Sequence, residues 1–237
     1  MYILFNKRTR NPEFYLAHPA KTAGTFVRNT IEADYKGYFF EAPQDFLKPN
    51  VRNMHSTKIG RPWNNWTTHR PFDIMCQMFT NFLDIDIPII GTVRHPYDRF
   101  VSQLRYIAPM IIGHPPFGDS NTFHSWESAI ETFGGWVWEL YIPQHAYFFS
   151  REKQIGTFYK IEDVQGQQIK FTDNITVDFS KPKYWTHEQA VDWKLNNIEN
   201  LKTEKKFQIS SFTLTDELKE VCYRIYQKDF ELFGYDK

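Results

Sequence analysis

Cysteine is scarce in this chain: of 237 residues, only Cys76 and Cys222 carry a thiol. They lie far apart, each inside an apolar pattern of helical spacing, so no disulfide framework is legible. They read as small buried hydrophobes in a reducing compartment, and a cytoplasmic setting is the expectation. An excess of either charge is also missing. Lys plus Arg total 28 and Asp plus Glu total 28, a formal net charge of zero. That balance disfavours a broad nucleic-acid-binding face, while leaving room for a local basic pocket. Long hydrophobic runs are absent too, none approaching the roughly 20 residues of a membrane span. The opening MYILFNKRTR has too short an apolar stretch for a secretion signal, with its basic residues on the wrong side of it. The sequons at Asn65 and Asn174 would matter only on a secretory route.

What is present is a globular composition, 41% hydrophobic and 24% charged, with 18% aromatic residues that supply large packing units and stacking surfaces. Neither a repeat nor a linker stands out, so one domain over residues 1–237 is expected. EFYLAHP (13–19) is a short apolar run closed by proline, the pattern of a buried strand. TFVRNTIEADY (25–35) reads as a helix beginning near Thr25. Residues 35–47 suggest a strand and a loop, 50–72 irregular chain, and 72–83 an amphipathic helix. DIPIIGTVRHP (86–96) is a second buried strand, and Pro96 opens a helix over 97–107 with Asp98 in its first turn. A helix over 125–134 and a strand running into a helix over 156–164 follow. The closing helix, 215–235, carries Leu218, Val221, Cys222, Ile225, Tyr226 and Phe230 as its inward stripe and stops at Gly234. Strands alternating with helices imply an α/β fold on a parallel sheet, with ligands at the carboxyl ends of the strands.

Two segments fall at such ends. In HPAKTAGTF (18–26) a strand gives way to a helix through a tight turn, where the first N–H groups of the helix have no intrahelical acceptor. Gly24 permits close approach of an anion, Thr22 and Thr25 offer hydroxyls, and Lys21 offers a mobile charge. The order differs from G-x-x-x-x-G-K-[ST], since the lysine precedes the glycine. On local grounds a phosphate cradle and a side-chain-capped helix start with a solvated lysine fit equally well. In VRHPYDRFVSQ, Arg94 ends a strand and Ser102 sits in the next helix. Side chains lean toward a helix N-terminus, so a guanidinium fork and a hydroxyl would meet around one phosphate monoester. The alternative is an Arg94 paired with a carboxylate and a Ser102 that is merely buried.

HPAKTAGTF resembles the 5′-phosphosulfate loop of sulfotransferases that use 3′-phosphoadenylyl sulfate (PAPS), and VRHPYDRFVSQ resembles their 3′-phosphate motif. THRPF (68–72), PQHAYFF (143–149), FYKIEDV (158–164) and YQKDFELFGY (226–235) follow in the same order. The last is similar to the closing helix of the carbohydrate branch, the group that contains the Golgi enzymes. The resemblance spans about residues 14 to 235. It implies a three-layer, P-loop-NTPase-like sulfotransferase fold with a central parallel sheet flanked by helices. It also implies PAPS as co-substrate, adenosine 3′,5′-bisphosphate (PAP) as product, and no metal. Thr22, Ala23, Gly24, Thr25 and Phe26 would hold the 5′-phosphate with Lys21 at the bridging oxygen, while Arg94 and Ser102 would hold the 3′-phosphate. His69 matches the family's catalytic histidine, although it also suits a helix cap, and His55 is its rival as base. His18 would brace the loop, and His95 with Asp98 would serve the start of a helix. The expected acceptor is a hydroxyl on a saccharide, with Arg61, Trp63, Trp66 and His114 near it and Arg70 available to an anionic group. Lys205 and Lys206 fall where relatives close over the nucleotide, or form a solvated charge run, and Tyr184 and Trp185 could stack on adenine. The competing functions are a small kinase-like nucleotide enzyme, which would need a Mg²⁺-holding acid at a strand end, and a non-catalytic nucleotide-binding module. A chain this short, without a membrane anchor, looks more like a bacterial or viral relative.

Overall fold

The run Tyr2–Asn6 is a strand, β1, in the computed structural model, which describes residues 2–6, 8–9, 11–35, 37–41, 71, 87–111, 142–181 and 214–237. Asn6 turns the chain: its Oδ1 accepts the N–H groups of Arg8 at 2.9 Å and Thr9 at 3.2 Å, a side-chain-to-backbone turn of the kind asparagine favours. The returning strand β2, Pro12–Ala17, therefore pairs antiparallel with β1, because so short a connection permits no other direction. Strand β3, Gly37–Glu41, lies antiparallel on the far side of β1. Strands β4, Ile89–Val93, and β7, Gly156–Lys160, run parallel to β2 and complete a sheet of order β3-β1-β2-β4-β7. The fold is mixed α/β, and the expected parallel sheet is corrected to a mixed one. The apolar start of the chain, Tyr2–Asn6, pairs antiparallel on both sides, with β2 and with β3.

The described residues divide into two compact units, one from residues 1–94 and 142–182, the other from 95–141 and 183–237. The first holds the sheet. Helix α1, Gly24–Asp34, follows β2, and the short helix α3, Ile161–Val164, follows β7. Between β4 and β7 come a 3-10 turn, Gln144–Tyr147, and the two-residue strands β5, Phe149–Ser150, and β6, Lys153–Gln154. Strands β8, Gln168–Thr172, and β9, Ile175–Asp178, form a hairpin. Its alternating Phe171, Ile175, Val177 and Phe179 join Leu4, Phe14, Leu16, Val27, Ile31 and Ile90 in one core. That alternation was present in QIKFTDNITVDF but was not read as a hairpin. The sequon residue Asn174 lies exposed in its turn.

The second unit pairs α2, Pro96–Ile111, with α4, Asp216–Phe233. Helix α4 begins on Thr215, whose side chain accepts the N–H of Leu218 at 3.2 Å and caps the helix, and it ends at Gly234 in left-handed backbone, the expected stop. Its inward stripe needs correction. Ile225 is 39% exposed and Val221 half-buried, whereas Asp229 and Phe233 are buried. Tyr226 departs from helical geometry (φ −114°, ψ 20°), yet the buried residues keep one helical spacing through it, Leu218, Cys222, Tyr226, Asp229 with Phe230, and Phe233. Cys222 is buried and its thiol touches the carbonyl of Pro96 at 3.7 Å. Burial pushes its pKa up to about 12, so it stays protonated and unreactive near neutrality. The expected helices over 72–83 and 125–134, and Cys76, lie outside the described residues.

Candidate functional site: the β2–α1 loop and the end of β4

Strand β2 is buried from Phe14 to Ala17, which delivers His18 and the following loop to the carboxyl end of the parallel strands. Lys21 and Ala23 then adopt left-handed backbone, at φ 66° and 62°. Thr22 and Gly24 do not, so φ alternates in sign across the four residues. Alternation of this kind turns successive N–H groups toward one point and makes a concave anion site. Left-handed backbone at a non-glycine residue costs on the order of 1 kcal/mol or more. The fully buried Thr22 supplies offsetting bonds: its hydroxyl donates to the carbonyl of Pro19 at 2.8 Å, and its own carbonyl accepts from the hydroxyl of Thr92 on β4. The Thr22 hydroxyl is therefore engaged inside the loop.

The start of α1 is also decided. Ala23 occupies the N-cap without any side-chain cap hydrogen bond, and no acid lies in the first turn. Helix α4, by contrast, has both. The donors at the head of α1, from Gly24, Thr25 and Phe26, meet no competing carboxylate from their own helix. Lys21 is half-buried and Thr25 exposed at this edge.

Gly24 serves a purpose beyond approach of a ligand. A Cβ there would lie 1.9 Å from Cδ2 and 2.5 Å from Nε2 of His18. The His18 ring is buried, and Tyr2 packs on it at 5.6 Å between centroids. Arg28 of α1 donates to the Tyr2 hydroxyl at 2.9 Å. His18 thus braces the loop, as expected. Gly24→Ala is expected to destabilise the protein by about 1–3 kcal/mol through overpacking, read as a lower thermal unfolding midpoint. An unchanged midpoint would mean that the ring swings aside at no cost.

Arg94 follows β4, the immediate parallel neighbour of β2, so Lys21 and Arg94 share the carboxyl edge of the sheet. Its main chain is held by one fully buried side chain. Gln144 Oε1 accepts the Arg94 N–H at 2.8 Å, and Gln144 Nε2 donates to the Arg94 carbonyl at 2.8 Å. Gln144 and Thr92 were not singled out from the sequence. Thr92 is a polar residue inside the apolar IIGTV, and Gln144 stands in PQHAYFF, so the signal was a polar residue in a buried setting. Ser102 lies on α2 in the second unit and is buried. His95 opens α2, its carbonyl accepting the Arg99 N–H at 2.9 Å and its Nδ1 the Tyr97 N–H at 3.3 Å. His69, His55, Arg61, Trp63, Trp66, Arg70, His114, Tyr184, Trp185, Lys205 and Lys206 lie outside the described residues.

No family model, curated protein or solved structure matches the chain. Among the described residues, no helix is long and apolar enough to cross a membrane, and no group of three or more His, Cys, Asp or Glu side chains could hold a metal ion.

Proposed function

We propose that this chain is a sulfotransferase of P-loop-like, three-layer fold that moves the sulfuryl group of PAPS to an acceptor hydroxyl, on a saccharide by family resemblance. One observation carries the reading: an uncapped helix start, reached through a φ-alternating turn, sits on the same sheet edge as a strand end bearing arginine. The turn suits a 5′-phosphosulfate, and the arginine suits the 3′-phosphate that distinguishes PAPS from ordinary adenine nucleotides. A Mg²⁺-dependent phosphoryl transferase would want a carboxylate at that strand end, where the chain has Arg94.

In the transfer the acceptor oxygen forms a bond to sulfur while the bond from sulfur to the bridging oxygen breaks. PAP leaves with the electron pair, and the acceptor proton passes to a base. In-line placement and support for the leaving oxygen are the main demands. Main-chain N–H groups of Ala23, Gly24, Thr25 and Phe26 hold the 5′-phosphate, with the Thr25 hydroxyl beside them, and Lys21 meets the charge growing on the bridging oxygen. Arg94 grips the 3′-phosphate. The assignments of Ser102 to that phosphate and of His69 to the base rest on the sequence resemblance.

Calorimetry with PAP in the absence of Mg²⁺ tests the reading directly: saturable heat that ATP does not compete away is expected, and no heat would end it. A PAP-release assay against a panel of sugars then distinguishes an enzyme from a binding module. Arg94→Ala is expected to weaken PAP about 30- to 100-fold, the loss of a bidentate charged contact. Its effect on AMP, which lacks the 3′-phosphate, should be small; equal weakening of both nucleotides would place Arg94 elsewhere.

A further inference from the structure

The sheet ends before Arg94 does its work. Pairing of β4 with β2 stops at Ala17 opposite Gly91, and pairing with β7 stops at Val93 opposite Lys160. Arg94 is therefore the first residue past the ladder, where a chain would ordinarily begin to wander. Instead both of its main-chain polar groups are taken by the amide of Gln144, each at 2.8 Å. The amide does what a neighbouring strand would do, offering one acceptor and one donor side by side. Gln144 is wholly buried at the head of the Gln144–Tyr147 turn, next to the buried Tyr147 and Phe148, so the amide is itself held in place.

Two residues upstream, the Thr92 hydroxyl donates to the Thr22 carbonyl inside the phosphate loop. Arg94 is thus tied on one side to the loop, through Val93 and Thr92, and on the other to Gln144. A nucleotide carrying a 3′- and a 5′-phosphate has a fixed spacing between its anions. A protein that grips both needs its two grips at that spacing before the ligand arrives, because ordering them afterwards weakens binding.

Resting on the reading of the site given above, we propose that Gln144 is a positioning residue which fixes the Arg94 backbone, and so makes the site selective for 3′-phosphorylated adenine nucleotides. Gln144 does not touch the ligand; it acts through Arg94.

The test compares PAP with AMP by calorimetry, on wild type, Gln144→Ala and Gln144→Met. The methionine variant fills the buried volume without the two hydrogen bonds and protects the experiment against a poorly folded alanine variant; thermal melts confirm folding. Both variants should bind PAP roughly tenfold more weakly, with AMP changed by less than about twofold, as expected for losing two hydrogen bonds that act only on the 3′-phosphate grip. The Gln144→Ala/Arg94→Ala double variant should bind PAP no more weakly than Arg94→Ala alone, since coupled residues are not additive. A glutamine that is only structural would lower the melting point and weaken PAP and AMP alike. Wild-type protein that ignores PAP removes the reading of the site and this inference together. Wild type that binds PAP, with variants that bind it equally well, or with losses that add to that of Arg94→Ala, overturns the inference alone.

Discussion

Lys21→Ala should lower turnover about a thousandfold, in the range seen when one preorganised group that stabilises a developing charge is removed, while affinity for the donor PAPS stays close to that of wild type. The split follows from where the charge appears. In the bound donor the bridging oxygen carries little charge; as its bond to sulfur breaks, it takes up the electron pair. A cation placed there is worth most in the transition state and little in the ground state, so it raises kcat more than it tightens binding. Lys21 occupies the first left-handed position of the turn and is half-buried. On the proposed reading the 5′-phosphate contacts are main-chain N–H groups at the head of α1, and these survive the substitution. Turnover is read by PAP release and donor affinity by calorimetry with PAPS, without acceptor, on the same preparation. Equal losses in both would make Lys21 an anchor for the bound nucleotide, and normal turnover would remove it from the chemistry.

The parts of this molecule that were legible beforehand share a physical trait: their signals are local. A buried run ending in His18-Pro19, a second ending at Arg94, and a helix opened by Pro96 each carry their boundaries in neighbouring residues. The C-terminal helix shows its Gly234 stop in the same way. What was not legible depends on partners distant in sequence. Tyr2–Asn6 needed β2 and β3 on either side to become a central strand. The two faces of Gln144, a side chain in an irregular stretch, acquire meaning only when β4 arrives 50 residues earlier in the chain to be clamped. Asp229 sits at inward helical spacing from Cys222 and Tyr226, but a charged residue reads as outward-facing by default.

That buried aspartate sets up the largest effect on stability. Arg99 of α2 and Asp229 of α4 are both fully buried and approach to 4.0 Å between Nη1 and Oδ2. The Arg99 guanidinium lies 5.2 Å from the centre of the Tyr226 ring, whose hydroxyl donates to Gln103 at 3.2 Å. Around this polar centre pack Phe100, Leu218, Cys222 and Phe230. The attraction within such a pair roughly balances the cost of dehydrating both ions, so the pair as a whole adds little. Removing one member is different, because the other stays buried with less opposite charge to offset its dehydration. Asp229→Ala should therefore cost about 3–5 kcal/mol and lower the unfolding midpoint by about 10 °C for a chain of this size. Replacing both members by apolar residues of similar volume, Arg99→Met with Asp229→Leu, should recover most of that loss, since neither charge is then stranded. Midpoints for the two single variants and the double variant, by calorimetry or chemical denaturation, give the coupling directly. If the single aspartate substitution leaves the midpoint within a degree or two of wild type, water reaches the guanidinium and the pair is not dry. If the double variant is as unstable as the sum of its parts, the loss belongs to packing and not to a charge left alone in the core.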